Sequence, residues 1–336
     1  MILKGEEPPE ISVLMSVFNG SRWIKDAIDS ILAQTFRNFE LIIVDDGSTD
    51  QTQDIVRESR IEDSRIVLIA KKNTGLADSL NYGICQAKGK WIARLDADDI
   101  SEPDRLAKQY QASLENRQLV LIGSRASFID ENDKYRPAIF LPVEDAGLRN
   151  NLVLLKDFFA HSSAFYRTDV VRGLGGYRVR IKRAEDYDLW LRLSETGLMA
   201  CLEKSLIRYR IHKDQVSKEE GGRRQKIDAR ISLTSYWLRQ MRVRDPVLGS
   251  DEEFEAFSGW IIEKLDFEGY FDYLEFLGKL EERKKTPLSS LRDFQLIGRT
   301  RLSYRKHFCT YLIKRVLGEQ LPYRLAIEWS QISKKS

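Results

Sequence analysis

Short apolar runs alternate with longer amphipathic stretches from residue 11 to about residue 125. The apolar runs, bounded by polar residues, predict buried strands, and apolar residues that recur every three or four positions predict helices. Regular alternation of strands and helices builds a parallel sheet covered on both faces. The predicted strands are 11–17, 39–44, 66–70, 91–95 and 119–122, and the predicted helices are 22–35, 50–60, 76–88 and 103–117.

Two of these predicted helices begin with residues suited to a helix start. Ser48 and Asp50 precede the second helix, where a side-chain oxygen can accept a hydrogen bond from an unpaired backbone N–H. Pro103 stands where a proline in the first helical turn is expected. Both features support the predicted boundaries.

Beyond residue 125 the pattern is less regular, with a turn, a helix and a strand predicted at 173–177, 185–196 and 205–211. The character changes past His212, because residues 218–224 are polar and contain glycine, which is typical of a linker. Apolar residues then recur at helical spacing, so residues 225–336 are predicted to be helical throughout. We therefore expect an α/β domain over residues 1–217 and a helical region over residues 218–336.

Composition narrows the class of protein. Of the 336 residues, 42% are hydrophobic and 31% are charged, as in ordinary globular proteins. The 54 basic and 51 acidic residues give a net charge of +3, too balanced to indicate a nucleic-acid-binding protein. The three cysteines are far apart and form no metal-binding pattern, so reduced thiols in a cytosol are expected.

The sequence also bears on location. The first ten residues lack the apolar core of a signal peptide, and no apolar run approaches the roughly 18 to 20 residues of a membrane span. We therefore expect a cytoplasmic protein, with any membrane contact peripheral. Residues 299–336 hold nine Lys and Arg and two acidic residues, interleaved with apolar ones. A basic amphipathic helix there can lie on anionic lipid, and the alternative is a helix packed on the domain with its basic face in water.

Polar and glycine-rich loops follow four successive predicted strands. Ligands of open parallel sheets bind beyond the carboxyl ends of the strands. The candidate binding residues at these ends are Asn19, Asp45, Asp46, Asn73, Gly75, Asp96 and Asp98. Their placement predicts an active site at that edge of the sheet.

The pair Asp96 and Asp98 follows the fourth predicted strand. At this spacing the two carboxylates can share a divalent cation, or one can bind the cation and the other a ribose hydroxyl. Carboxylate oxygens suit Mg²⁺ and Mn²⁺, which also bind diphosphate oxygens. Because acidic pairs after strands are also common turn formers, the motif alone does not decide between a metal site and a turn.

A second acidic pair, Asp45 and Asp46, ends the second predicted strand. A helix N-cap accounts for Ser48 or Asp50 but not for two adjacent carboxylates. A carboxylate at this point can accept a hydrogen bond from a nucleotide base N–H or a ribose hydroxyl. The pair therefore indicates a nucleotide site.

Several segments, taken in order, resemble family 2 glycosyltransferases over about residues 9–217. They are VLMSVFNG (13–20), VDDGSTD (44–50), NTGLADSLNYG (73–83), RLDADD (94–99), GGY (175–177), AED (184–186) and YRIH (209–212). Each motif alone is unspecific, whereas all of them together, in this order and at this spacing, are strong evidence for the resemblance. The resemblance implies a GT-A fold, a nucleoside-diphosphate-sugar donor and inversion at the anomeric carbon.

The resemblance implies roles for the residues of the donor side. Asp46 matches the residue that reads a uracil-type base, Ser16 matches a base contact near the backbone, and Asp45 is expected to orient this loop. The third segment departs from the family pattern, because Leu76 and Asp78 stand where small residues are common. Contacts of that loop with the donor are therefore not implied.

The resemblance also implies a divalent cation, Mn²⁺ or Mg²⁺. Asp98 matches its direct ligand, Asp96 is expected near the ribose or the metal, and Asp99 is expected to hold the loop. His212 matches the late histidine that completes the metal site in many GT-A enzymes. The alternative for His212 is a structural role, which is the commoner one for a single histidine after a strand.

On the acceptor side, Asp186 matches the catalytic base. Displacement at the anomeric carbon needs a carboxylate to take the proton of the acceptor hydroxyl, while a cation neutralises the leaving diphosphate. Gly175 and Gly176 match a glycine loop that lets the acceptor approach, and Glu185 and His161 are expected near the acceptor. From the residues alone, Asp186 is also explained as a helix N-cap, and His161 as a hydrogen-bonding group at a strand end.

These observations predict a metal-dependent, inverting hexosyltransferase that uses a UDP-sugar. The family and the basic C-terminal segment favour a lipid-linked saccharide of cell-surface polysaccharide or lipopolysaccharide assembly as the acceptor. A carboxylate that reads a base N–H also suits dTDP, and the sequence leaves the sugar, the linkage and the oligomeric state open. The alternative from another class is an inactive homologue that serves as a binding or scaffold protein. A dinucleotide-dependent oxidoreductase is disfavoured, because residues 18–22 lack its glycine-rich loop.

Overall fold

The computed structural model describes residues 8–136, 141–213, 215, 223–240 and 242–266. They belong to two compact units that are divided between Tyr236 and Trp237. The strands of the first unit are β1 (Ile11–Val17), β2 (Phe39–Asp45), β3 (Ile66–Ala70), β4 (Trp91–Arg94), β5 (Ile100–Ser101), β6 (Leu119–Ile129), β7 (Tyr135–Arg136), β8 (Phe165–Arg167) and β9 (Leu198–Arg210). The helices of the chain are α1 (Ile24–Leu32), α2 (Thr52–Glu62), α3 (Leu76–Gln86), α4 (Arg105–Glu115), α5 (Asp145–Val153), α6 (Thr168–Gly173), α7 (Glu185–Ser194), α8 (Arg223–Gln240) and α9 (Asp251–Asp266).

One mixed sheet organises the first unit, with strand order β3-β2-β1-β4-β8-β6-β9-β5 and β7 beside β6. Strands β1 to β4 are parallel, as the alternating pattern predicts. Strand β8 runs antiparallel to both β4 and β6, so the sheet is not parallel throughout. The α/β prediction is confirmed, and the parallel half carries the predicted strand-end loops at one edge.

The central strands are covered on both faces. Every residue of β1 and of β2 is buried, which is why both strands are almost continuously apolar. Helices α1 and α2 pack through apolar residues such as Ile28 and Val56. This rigid half of the sheet fixes where β1, β2 and β4 end, and hence where the loops of the site begin.

Two predicted helix starts differ from the structure. Helix α4 begins at Arg105, so Pro103 precedes the helix and the prediction of a first-turn proline is wrong. Helix α2 begins at Thr52 with Gln51 as its N-cap residue, so neither Asp50 nor Ser48 occupies the N-cap position. Asp50, one residue earlier, accepts a hydrogen bond from the backbone N–H of Thr52 at 3.0 Å. Ser48 instead accepts one from the backbone N–H of Asn19 at 2.8 Å. Ser48 therefore joins two loops rather than capping the helix.

The C-terminal prediction is tested only in part. Helix α8 ends at Gln240 and α9 begins at Asp251, so the prediction of helix throughout residues 225–336 is wrong between them. There Asp245 caps a short 3₁₀ helix (Pro246–Leu248) by accepting from the N–H of Val247. The predicted boundary at 217/218 and the basic segment 299–336 lie outside the described residues and stay predictions. Within the part of the chain that is described, no helix is long and apolar enough to cross a membrane.

Candidate active site

The two carboxylates that end β2 hold different loops. Asp45 is fully buried and accepts a hydrogen bond at 2.5 Å from Nε2 of Gln53, in the helix α2 that follows the same loop. Asp46 accepts from Nζ of Lys71 at 2.6 Å and from the backbone N–H groups of Thr74 and Gly75 at 2.9 and 2.8 Å. Asp46 therefore ties the loop after β2 to the loop after β3.

The charge of Asp46 is well stabilised. Burial alone would raise the pKa of its carboxyl group, but the hydrogen bonds from Lys71, Thr74 and Gly75 outweigh burial and lower this pKa. Lys71 also lies 3.3 Å from a carboxylate oxygen of Asp78. Asp78, one of the two residues that depart from the family pattern, thus belongs to the same charge cluster as the predicted base-reading residue.

The loop after β1 docks on the loop after β2. Asn19 has a positive φ of 52°, a conformation that asparagine tolerates better than most residues. In this conformation its Oδ1 accepts a hydrogen bond from the backbone N–H of Thr49 at 2.8 Å. Ser16 is buried near the end of β1, whereas the neighbouring Phe18 is 52% exposed. An exposed aromatic ring at this edge offers a flat surface beside Asn19, and no sequence argument had singled it out.

The loops after β2 and β3 pass very close to each other. A Cβ atom on Gly47 would lie 2.9 Å from the backbone nitrogen of Asn73, and Gly47 has a φ of +79°. Gly75 has a φ of +97° and donates its N–H to Asp46. Both glycines are therefore needed for the backbone path, and Asn73 is left exposed at the surface.

Asp98 and His212 are 114 residues apart in sequence and meet in the structure. Oδ2 of Asp98 lies 2.8 Å from Nε2 of His212. In the structure this contact is a hydrogen bond or an ion pair. Two neighbouring ligands of one cation, each about 2.1 Å from it, are also about 3 Å apart, so the same two atoms are suitably placed to bind Mg²⁺ or Mn²⁺ in place of that contact. Among the residues that the structure describes, no group of three or more His, Cys, Asp or Glu residues could hold a metal ion. The other ligands would therefore be donor oxygens and water, as is usual for Mg²⁺.

Asp96, Asp98 and Asp99 lie close enough together to shift one another's pKa values. Burial and the charge of Asp96 raise the pKa of Asp98, although His212 opposes this. Burial together with Asp98 and Asp96 raises the pKa of Asp99 well above its usual range. A divalent cation next to Asp98 would favour the charged form of these carboxyl groups, although only Asp98 and His212 are close enough to each other to bind it together.

Asp96 and Asp99 are fixed by hydrogen bonds and an ion pair with Ser162 and two buried arginines. Oγ of Ser162 donates to Oδ2 of Asp96 at 2.7 Å and also contacts Asp99. Arg94, which is fully buried, forms an ion pair with Asp96, and the backbone N–H of Arg210 donates to Asp99 at 2.8 Å. Burial alone would raise the pKa of Asp96, but Arg94 lowers it. Asp99 therefore holds its loop, as the resemblance implies.

The glycine turn before α7 is clamped by α3. Gly175 and Gly176 have φ values of +77° and +71°. Asn81 of α3 pairs with the next residue, accepting from the N–H of Tyr177 and donating to its carbonyl oxygen, both at 2.7 Å. A Cβ on Gly176 would lie 2.3 Å from Oδ1 of Asn81, whereas one on Gly175 would meet nothing within 4 Å. Gly176 is therefore required because a side chain there would overlap Asn81, whereas Gly175 faces open space.

Glu185 and Asp186 form the first turn of α7. Burial and the charge of Asp186 raise the pKa of Glu185 to about 8, so Glu185 is largely protonated at neutral pH. Burial also raises the pKa of Asp186, and the charge of Asp96 adds to this effect while Arg94 opposes it. The predicted base thus lies within electrostatic range of the acidic cluster after β4.

His161 supports the glycine turn from inside the unit. Its Nε2 is 2.8 Å from the hydroxyl of Tyr177, whose oxygen is 3.1 Å from the hydroxyl of Tyr166. Burial and the nearby charge of Arg94 lower the pKa of His161 to about 3, so the imidazole is neutral. The contact matches the hydrogen-bonding alternative, and a contact of His161 with an acceptor stays a prediction.

Four residues of the site were not predicted, namely Phe18, Lys71, Arg94 and Ser162. Arg94 stands within the RLDADD segment, and its Nε and Nη1 have no hydrogen-bond partner in the described part of the chain. A charged residue in an otherwise apolar strand was the available signal for Arg94. Ser162 and Lys71 carry no sequence signal, because their importance depends on which loops the fold brings together.

Comparisons with known proteins bear on the family and the fold of this chain. Residues 12–175 match the model of glycosyl transferase family 2. The chain is 37% identical over 212 residues to the putative glycosyltransferase EpsE of Bacillus subtilis, covering 61% of this chain and 74% of that protein. It is 33% identical over 217 residues to the O-antigen biosynthesis glycosyltransferase WbnJ of Escherichia coli, covering 62% and 82%. The structure of S. aureus TarS 1–349 in complex with UDP-GlcNAc has a TM-score of 0.59 at 18% identity, covering 94% of this chain and 82% of that one, and shows a shared GT-A fold.

Proposed function

The chain belongs to glycosyltransferase family 2, and we propose that it transfers one hexose unit from a UDP-sugar to an acceptor hydroxyl with inversion at the anomeric carbon. The observation that carries the proposal is the 2.8 Å contact between Asp98 and His212. It joins the acidic motif after β4 to the last matching motif of the sequence. Both lie at the edge of the sheet where the loops after β1 and β2 dock on each other.

The donor nucleotide is proposed to bind across the loops after β1, β2 and β3. Phe18 offers an exposed ring on which a base can stack. Asp46 offers a carboxylate that can accept a base N–H, provided that the ligand shares or replaces its present contacts with Lys71 and the loop backbone. The complex of TarS with UDP-GlcNAc supports a UDP-sugar as donor, since both chains share the fold.

A divalent cation, Mn²⁺ or Mg²⁺, is proposed to be held by Asp98 and His212. When bound, the cation supplies charge neutralisation for the diphosphate that leaves. Asp96, fixed by Arg94 and Ser162, is proposed to contact the ribose or the cation.

Asp186 is proposed as the base. As the acceptor oxygen bonds to the anomeric carbon, the bond from that carbon to the diphosphate oxygen breaks, and the diphosphate keeps the electron pair. The acceptor proton passes to the Asp186 carboxylate, which can take it because the raised pKa brings its basicity closer to working pH. Glu185, largely protonated, is proposed to donate a hydrogen bond to the acceptor beside Gly175 and Gly176.

The acceptor is proposed to be a lipid-linked saccharide in the assembly of a cell-surface polysaccharide. The relative WbnJ is named for O-antigen biosynthesis, which supports an acceptor of this kind. The basic segment 299–336 supports a site of action at the inner face of the cell membrane.

The proposal is tested by thermal unfolding with UDP, dTDP, GDP or CDP, each with and without Mn²⁺. A ligand present at a hundred times its dissociation constant adds about 2.7 kcal/mol, or roughly 2 to 5 °C for a chain of this size. Of the four nucleotides, only UDP is expected to raise the midpoint of unfolding, and only when Mn²⁺ is present. A transfer assay with UDP-hexoses should then give a product whose anomeric configuration, read by NMR, is inverted. If no nucleotide raises the midpoint and Asp98→Ala and Asp186→Asn proteins keep full biological activity, the chain is an inactive binding or scaffold homologue.

A further inference from the structure

We infer that Asp228 of α8 is a positioning residue for transfer, because it fixes the loop that leads into Asp186. The inference rests on the proposed role of Asp186 as the base. Helix α8 begins at Arg223, well beyond the residues that match the family 2 model. A segment outside the matched part of the chain therefore supports the acceptor side of the site.

Asp228 is fully buried, and one of its carboxylate oxygens serves two consecutive backbone donors. Its Oδ2 accepts hydrogen bonds from the N–H groups of Lys182 and Arg183, each at 3.0 Å. Its Oδ1 lies 3.0 Å from Nε of Arg224, one turn earlier in the helix. A buried carboxylate is destabilising unless it is paired and hydrogen-bonded. The two loop N–H groups supply the hydrogen bonds at Oδ2, and Arg224 supplies an ion pair at Oδ1, which makes no hydrogen bond within the described residues.

A second contact from the same helix holds the start of this loop. Nη1 of Arg178 donates to Oγ of Ser235 at 3.2 Å and lies 3.4 Å from Oδ1 of Asp188 in α7. Asp188 is fully buried and is also paired with Arg192, at 2.8 Å. The loop from Arg178 to Arg183 is thus attached to α8 near both of its ends.

The catalytic carboxylate depends on this backbone. In the described residues, Asp186 accepts hydrogen bonds only from backbone N–H groups of the first turn of α7, with Tyr187 at 2.7 Å. Its position therefore follows from where that turn begins, two residues after Arg183. A catalytic group displaced by about 1 Å can lower the rate roughly 100-fold.

The donor side does not share this dependence. The residues proposed to bind the nucleotide and the cation lie on the loops after β1 to β4 and after β9, whereas Asp228 contacts the loop before α7. Loss of Asp228 should therefore lower kcat while the affinity for UDP stays the same.

The experiment compares Asp228→Ala and Asp228→Asn with the control Lys226→Ala, an exposed position two residues earlier on α8. We measure kcat for transfer, the UDP dissociation constant, and hydrogen exchange of the Lys182 and Arg183 amides by mass spectrometry. Asp228→Ala should lower kcat about 10- to 100-fold, leave UDP affinity within twofold, and speed exchange at these two amides. Asp228→Asn keeps an acceptor oxygen without the charge, so its effects should be intermediate. Lys226→Ala should match the wild type.

Two results would overturn the inference. One is faster exchange at both amides with kcat within twofold of the wild type, in either Asp228 variant. The other is a parallel loss of kcat and UDP affinity, which indicates general destabilisation. If Asp228→Ala does not fold, Asp228→Asn decides by the same criteria. If the wild type transfers no sugar, the proposed function fails, while unchanged exchange in Asp228→Asn would separately show that Asp228 does not hold the loop.

Discussion

At the scale of single residues, the pair Asp98 and His212 gives the sharpest test of the metal site. Replacing either residue by Ala should abolish the additional stabilisation that Mn²⁺ gives to the UDP-bound protein, because each substitution removes one of the two ligands that we propose the chain supplies. The midpoint of thermal unfolding with UDP, with and without Mn²⁺, measures this. Lys226→Ala, an exposed position on α8 outside the site, serves as a control, and a Mn²⁺ effect that survives in both ligand variants would contradict the assignment.

Asp186 should govern the acid side of the pH–rate profile. A base acts when deprotonated, and burial and the charge of Asp96 raise the pKa of this carboxyl group while Arg94 opposes them. We therefore expect kcat/KM to rise with pH through a midpoint above the usual range of an aspartate. Asp186→Asn should lower kcat at least about 100-fold and remove this limb, with UDP affinity unchanged. A limb of the same midpoint in the variant would assign it to another group.

His161 should make folding stability sensitive to acid. The pKa of His161 in the folded chain is about 3, below the usual 6.5. Between pH 3 and pH 6.5 the imidazole is therefore protonated in the unfolded chain but not in the folded chain. Stability is fully present above pH 6.5 and falls by up to about 1.4 kcal/mol per pH unit below it. Urea unfolding of wild type and His161→Gln at pH 7.0 and 5.5 measures the difference. Equal pH slopes for both proteins would contradict a neutral buried imidazole.

The sequence predicts those site residues whose type and position along the chain match a recognisable motif. Asp98 and His212 were paired through the resemblance alone, and the structure brings them together. Arg94 and Ser162 were missed, because a lone arginine in a strand and a lone serine have no periodicity or motif. The role of Asp228 could not be predicted either, since it depends on hydrogen bonds from two backbone N–H groups more than 40 residues away in the chain.

At the scale of elements, the glycine turn before α7 offers a matched pair of substitutions. Alanine at either glycine would be strained by about 1 to 2 kcal/mol at positive φ. At Gly176 it would also displace Asn81, whereas at Gly175 it meets open space. Gly176→Ala should therefore lose more stability and more kcat than Gly175→Ala, with donor affinity retained in both. Urea unfolding and transfer kinetics check this, and equal effects of the two substitutions would contradict a role for the Asn81 clamp.

Strands formed by an uninterrupted apolar run were predicted best. Strands β1 and β3 have the predicted bounds, because β1 is buried throughout and β3 is a short apolar run between polar residues. Strand β9 was predicted only from residue 205, yet it begins at Leu198. The exposed Glu203 and Lys204 interrupt its apolar pattern, so its first half did not resemble a strand. The antiparallel β8 was missed because it is only three residues long.

At the scale of the whole molecule, the basic segment 299–336 should bring the protein to anionic membranes. The full chain is expected to sediment with vesicles that contain phosphatidylglycerol and to be released at roughly 1 M salt, where the Debye length is about 3 Å. Replacing Lys314 and Arg315 by Glu should weaken retention, and Lys226→Glu, outside the segment, should not. Vesicles that fail to retain the full chain at low salt would remove the support for a membrane-surface acceptor.

The network around Asp46 has a consequence for turnover. Before any nucleotide arrives, this carboxylate already has three hydrogen-bond donors, from Lys71, Thr74 and Gly75. If Asp46 has its proposed role, a bound base replaces some of these contacts, and release of the base restores them. The buried carboxylate then has hydrogen-bond donors both with and without the nucleotide. Release of UDP would therefore leave no unpaired buried charge, which should favour rapid exchange of UDP for the next donor.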